Sequence, residues 1–234
     1  MANGSGTEKL PLDSTPADCR SGEFTFGVRV QDQSGLIDLN AADAHLLSLG
    51  FASLGFDRQT SEDLAEAAIQ FRGSTNAFAA QAEPATSVGP AQDKQAPFES
   101  VSELQEFSAL ASTPPHDLYD VFTVFSKRGT LSLDSASSRL RTVLAGASGS
   151  GASTTQGSIG AFSVEVIARR DGSGIAGHAG FVSEKFPASA AGFRRLSGSP
   201  VAEPTNHAGT TTSSRDCDAL FGTAVAQILR RWAS

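Results

Sequence analysis

Val30-Gln-Asp-Gln-Ser-Gly-Leu-Ile-Asp-Leu-Asn-Ala-Ala42 is the stretch from which the rest of the chain can be read. Upstream of it, Phe24-Thr-Phe-Gly-Val-Arg-Val-Gln-Asp32 alternates apolar and polar residues, so Phe24, Phe26, Val28 and Val30 share one face of a half-buried strand. Gln33-Ser34-Gly35 supplies turn residues, and Leu36 to Leu39 is a second short extended piece. Asn40 then stands where a helix should begin. Its side-chain oxygen can cap the free amides of the first turn, Asp43 at the third position suits the positive helix end, and Leu46, Leu47 and Leu49 form the apolar face. The same grammar returns downstream. Gly35-Leu-Ile-Asp-Leu-Asn-Ala-Ala-Asp-Ala-His-Leu46 lies over Gly129-Thr-Leu-Ser-Leu-Asp-Ser-Ala-Ser-Ser-Arg-Leu140 with Gly, an apolar residue, Leu, Asn or Asp, Ala and Leu in register. Asp134 thereby takes the place of Asn40 as a candidate cap. Either a repeated unit or the common strand-to-helix grammar produces such a match.

Between the two copies, Thr60 and Asp63 predict the start of a second helix, with Leu64, Ala68 and Phe71 facing inward, ending near Gly73. Residues 73–97 lose all period and read as a long loop. Ser100 and Glu103 form a capping box ahead of Val101, Leu104 and Phe107, Pro114-Pro115 stops that helix, and Tyr119 to Val124 reads as extended. After the second copy comes a Gly/Ser/Thr linker, 146–157. The strand Phe162–Arg170 then turns through Asp171-Gly-Ser-Gly174 into a returning strand ending at Lys185. Phe193 to Leu196 adds an edge strand. A polar loop, 197–214, leads to a terminal helical pattern of Leu220, Phe221, Val225, Ile228, Leu229 and Trp232, with Asp216 or Asp218 as its cap.

Composition narrows the function. The chain has 234 residues, 39% apolar and 18% charged, a formal charge of −7, and phenylalanine as 15 of its 17 aromatics, so one or two domains with a Phe-rich core are expected. The acidic balance gives no electrostatic reason to approach a polyanion. The longest uncharged run, Thr142 to Val164, is mostly Gly, Ser and Thr and cannot cross a bilayer. The first 17 residues carry no secretory signal and read as a disordered leader or cloning scar. Cys19 and Cys217 form no metal-spaced pair; in an oxidising compartment they can join the chain's ends, and otherwise they are two separate thiols. Gly172-Ser-Gly-Ile-Ala-Gly177 matches a dinucleotide fingerprint by letter, but residues 175–185 read as a strand where that fingerprint needs a helix. No nucleophile and base can be paired, and His45, His116, His178 and His207 are scattered. No catalytic, cofactor-binding or metal-ligating residues are expected.

The run 30–42, with Pro97-Phe-Glu-Ser-Val-Ser-Glu-Leu104 and Gly129-Thr-Leu-Ser-Leu-Asp-Ser-Ala136 after it in order, resembles general secretion pathway protein K, the K-type minor pseudopilin of bacterial type II secretion. The resemblance covers about residues 24–145, with a weaker likeness of the terminal hairpin. It implies an α+β fold: a pilin-like body with an antiparallel sheet, formed by residues 18–39 and 128–234, interrupted by a mostly helical, helix-hairpin-helix-like domain, 40–127. It also implies a structural subunit that assembles with the I- and J-type minor pseudopilins at the tip of a periplasmic fibre, its insert blocking further addition. In the full-length form an N-terminal helix absent from this chain would anchor it in the inner membrane. Calcium belongs to the family's pattern. Where family members carry an acidic stretch, however, this sequence reads Phe71-Arg-Gly-Ser-Thr-Asn76, which leaves no cofactor expected.

The alternative is a DNA-binding module of the competence-receptor type, which Ile37-Asp-Leu-Asn-Ala-Ala42 and Phe98–Leu104 also resemble. Such modules need Gly-rich hairpins and basic neighbours. Here residues 40–128 hold five basic side chains, Arg58, Arg72, Lys94, Lys127 and Arg128, against more than twice as many acidic ones.

Overall fold

The computed structural model describes residues 11–73, 88–90, 94–146, 152–153, 160–171, 174–185, 193–198, 215–223, 227–228 and 231. Its contacts divide the chain into a sheet unit, residues 1–31 with 162–234, and a helical unit, residues 32–161. The boundary expected at 39/40 and 127/128 therefore moves outward. Leu36, Ile37 and Leu39 on one side and Leu131, Leu140 and Leu144 on the other are buried in the helical unit's core, so both copies of the repeated motif belong to it.

The sheet unit is built on a hairpin of β1 (Ala17–Ser21) and β2 (Phe24–Asp32), turned at Gly22, whose φ of 62° is one that glycine adopts without strain. The remaining strands are β7 (Ala161–Arg170), β8 (Gly174–Lys185), β9 (Phe193–Gly198) and β10 (Arg215–Asp216), giving the order β10-β1-β2-β7-β8-β9. β1 with β2 and β8 with β9 pair antiparallel, while the two-residue β10 runs parallel to β1. Ion pairs of Glu23 with Arg170 and Arg29 with Glu165 run in opposite order along β2 and β7, as an antiparallel pair requires. Phe24, Phe26 and Val28 are buried on one face as the alternation predicts, and Val30 is half-buried. Part of the segment expected to be a disordered leader, 1–17, is structured. Residues 1–10 lie outside the described residues, but Asp13 bridges Gln31, and Ser14 bonds both the Val30 carbonyl and the Gln31 side chain, which extends the hairpin down to residue 13.

In the helical unit the two copies of the motif adopt the same elements in the same register. The two-residue strands β3 (Ile37–Asp38) and β5 (Leu131–Ser132) correspond, as do the helices α1 (Ala44–Ser53) and α4 (Ser138–Gly146). Each strand has a parallel partner of two residues: β4 (Phe122–Thr123) for β3, and β6 (Ala152–Ser153) for β5, the latter inside the expected linker. The copies face each other reciprocally. A Cβ on Gly35 would lie 1.9 Å from the carbonyl oxygen of Ser135, and one on Gly129 would lie 3.0 Å from that of Ala41. Ala41 and Ser135 occupy the same place in the two copies. The glycines thus mark where one copy's turn touches the other, and the match reflects a paired structural unit rather than shared grammar.

Beyond their helices the copies differ. After α1 comes α2 (Arg58–Phe71), which closes a hydrophobic core of Leu47, Phe51, Leu64, Phe71, Phe98 and Phe107 with Phe122 beside it. Phe71 sits 4.9 Å from Phe98 and 5.4 Å from Phe107, and Phe51 sits 4.9 Å from Phe122, at the tilted angles that aromatic pairs favour. α2 begins at Arg58 rather than Thr60 because Asp57 caps it, accepting from both the amide and the hydroxyl of Thr60. The Ser100–Glu103 capping box is present, but the segment it starts, Val101–Glu106, is a 3-10 helix. Its buried Val101 and Leu104, with Phe107 just beyond it, recur every third residue, the period of that tighter helix. Pro115 opens the short helix α3 (Pro115–Tyr119) instead of ending one, since a missing amide costs nothing in a first turn.

Candidate functional site

Within the helical unit the polar centre is Asp38, 1% exposed. One carboxylate oxygen accepts from the amides of Asn40 (2.9 Å) and Ala41 (3.1 Å), the other from the amide of Lys127 (2.7 Å) and the hydroxyl of Ser126 (3.1 Å). A buried carboxylate is tolerated only when its lone pairs are filled in this way. Arg72, at the end of α2, donates to the carbonyls of Leu39 and Ala42, the latter at 2.8 Å, closing the same loop from the other side. Burial lowers the pKa of its guanidinium from the ordinary arginine value, and the charge of Asp38 pulls the other way.

Asn40 does not cap α1. Its side chain bonds the backbone of Phe98 twice, accepting from the amide at 2.7 Å and donating to the carbonyl at 2.9 Å, and so joins two segments as a strand pair would. The cap of α1 is Asp43, which takes the amide of Leu46 at 2.8 Å. Asp134 is likewise not a cap. It lies inside the 3-10 turn Leu133–Ser135, and Ser137, the counterpart of Asp43, reaches the amide of Leu140 at 3.5 Å. Both expected caps stand three residues early because a turn of 3-10 or related form intervenes between strand and helix in each copy. Neither Asp38 nor Arg72 stands out in the sequence. The legible signal is an acidic residue between Ile37 and Leu39 in a segment buried on both sides.

On the sheet unit, Cys19 and Cys217 form a disulfide, with Cα atoms 4.9 Å apart and both residues fully buried. Asp216 rather than Asp218 caps the helix α5 (Cys217–Phe221), accepting from the Asp218 amide at 3.0 Å. Leu220 and Phe221 lie against a cluster of Cys19, Phe24, Phe26, Ala168 and Cys217. Gly222, with φ of 79°, interrupts the predicted terminal helix. Of that pattern, Val225, Leu229 and Trp232 lie outside the described residues.

Charge is unevenly distributed. Residues 32–161 hold 15 acidic and 7 basic side chains, against 10 and 11 in the remainder, so the helical unit carries −8 and the sheet unit +1. Among the described residues the one large apolar side chain that is strongly exposed is Ile228, at 64%, in the sheet unit. Among the described residues of the helical unit no large apolar side chain is strongly exposed, while Leu54 and Phe56 are half-buried. The segment linking α1 to α2, Leu54-Gly55-Phe56-Asp57, holds one glycine and no basic residue, where a DNA-binding hairpin would need basic neighbours. Gly174 to Gly177 of the fingerprint-like motif begin β8, so no helix comes next to receive a phosphate; Gly172 and Ser173 lie outside the described residues. Among the described residues no group of three or more His, Cys, Asp or Glu could hold a metal ion, and no helix is long and apolar enough to cross a membrane.

A two-unit α+β chain of this kind, with a hairpin-based antiparallel sheet interrupted by a helical insert, has a pilin-like architecture. In the comparison with solved structures, it is similar to the crystal structure of the GspK-GspI-GspJ complex from the enterotoxigenic Escherichia coli Type 2 Secretion System. The match covers 82% of this chain and 87% of the chain compared, with a TM-score of 0.51 and 12% sequence identity. The fold is thus GspK-like. No family model matches the chain, and no curated protein matches it in sequence.

Proposed function

We propose that this chain is a K-type minor pseudopilin of type II secretion, acting by assembly with the I- and J-type subunits at the tip of the pseudopilus rather than by catalysis. The observation that carries the reading is the fold likeness over 82% of the chain to a complex containing those three proteins, joined to the ordered motifs at 30–42, 97–104 and 129–136. The buried disulfide suits a periplasmic location, where thiols are oxidised. The net charge of −8 on residues 32–161 supports the blocking role, since interface cores are depleted in charge and built on aromatic and aliphatic side chains.

The test is to mix the oxidised chain with soluble I- and J-type pseudopilins and track the mass by size-exclusion chromatography with light scattering. A ternary species is expected. Independent elution of all three at about 100 μM, a concentration at which even weak specific complexes form, overturns the reading.

A further inference from the structure

Strand β1 owes its second neighbour to the far end of the chain. It pairs along its whole length with β2, but on its other side Cys19 and Arg20 meet only Arg215 and Asp216 of the two-residue β10. From β10 the chain enters α5, five residues long, which lays Leu220 and Phe221 against the apolar cluster of the sheet. Both pieces are short, and past Gly222 the described residues 223, 227, 228 and 231 are helical again. A helix of five residues is far below the length that persists in water, and a two-residue parallel ladder offers few bonds. The Cys19–Cys217 disulfide sits at the junction of the two, and its cysteines are 198 residues apart in sequence.

We infer that this disulfide is a redox latch on the sheet edge. Closed, it holds residues 215–221 in place and makes β1 an inner strand; open, it lets that segment leave, so that β1 becomes an edge and Phe24, Phe26 and Ala168 lose their cover. Closing is a thiol–disulfide exchange. The two thiols give up two electrons and two protons to a disulfide oxidant, which departs as a dithiol, and a dithiol reductant reverses the step. An open edge strand is a template for pairing with other chains, so the latch separates a reduced chain that can be captured at β1 from an oxidised one that cannot. It also closes only after the chain is complete from residue 19 to residue 217 and has met an oxidant.

Hydrogen exchange read by mass spectrometry tests this on the oxidised chain, on the chain in dithiothreitol, and on the Cys19→Ser/Cys217→Ser variant. Exchange in 17–21 and 215–221 is expected to rise about a hundredfold or more in both forms that lack the bond, while β7 and α2 keep their rates. Unchanged exchange at 17–21 and 215–221 in the variant overturns the latch, because the segment then stays docked without the bond. Loss of protection across β2 and β7 as well also overturns it, because the disulfide is then a staple of the whole sheet rather than of its edge.

Discussion

Gly35 and Asn40 show how much one residue can carry in this fold. At Gly35 an alanine would put its Cβ 1.9 Å from the Ser135 carbonyl oxygen, backbone against backbone, with no flexible side chain to yield. Gly35→Ala should destabilise the helical unit by about 2–3 kcal/mol, the range for a forced core clash, measured by chemical denaturation. At Asn40 the two bonds to Phe98 tie that loop to the motif, and removing both leaves a backbone donor and acceptor short of partners. Asn40→Ala should cost about 2 kcal/mol, whereas Asp134→Ala, on a residue that caps nothing, should cost less than about 0.5 kcal/mol. If the two substitutions cost the same, Asn40 is not the tie described. These roles are only half legible in the sequence. Spacing places a polar residue after each short strand, but Asn40 meets a residue 58 positions away, and Asp38 meets Lys127 across 89. Long-range hydrogen bonds leave no local pattern, so sequence grammar assigns to a helix cap what tertiary structure uses as a clasp.

At the scale of the element, the 3-10 helix Val101–Glu106 depends on its capping box. Glu103 accepts from the amides of Glu99 (2.7 Å) and Ser100 (3.0 Å) and from the ammonium of Lys94 at 2.8 Å. Burial alone would raise the pKa of this carboxyl, but Lys94 and the two amides together outweigh it, and the net shift is downward from the ordinary glutamate value. A carboxyl depressed in the native state stabilises fully above its unfolded pKa and loses that contribution as pH falls through the lower native value. The acid limb of stability below about pH 4.3 should therefore be shallower in Glu103→Gln than in the parent, as read from melting temperature against pH. A parallel shift of the whole curve, with the slope unchanged, counts against it. Element types are legible wherever apolar spacing is regular. Val101, Leu104 and Phe107 recur every third residue, and α2 starts ahead of Thr60 only because Asp57 is the stronger acceptor for its first turn. β10 carries no such signal, since two residues cannot show a period.

For the whole molecule, the helical unit is one continuous piece of chain, 32–161, with its own core from Leu36 to Leu144. It should fold alone, giving a cooperative two-state melt and, at −8, tight retention on an anion exchanger near neutral pH. A non-cooperative melt would show that it borrows stability from the sheet unit. The sheet unit, by contrast, is made of two pieces that flank the insert. The insert is visible in the sequence but its edges are not, because a short strand such as Ile37–Asp38 looks the same whether it joins a sheet or a helical core. What separates the two is its partner, Phe122–Thr123, 85 residues later.

The bond between residues 19 and 217 makes the backbone between them a closed ring. A ring cut once is still one molecule. A protease that nicks the chain anywhere inside that span should leave a product that migrates as a single species without reductant and separates into two with it, so that damage to one point of the loop neither shortens the subunit nor sheds its insert.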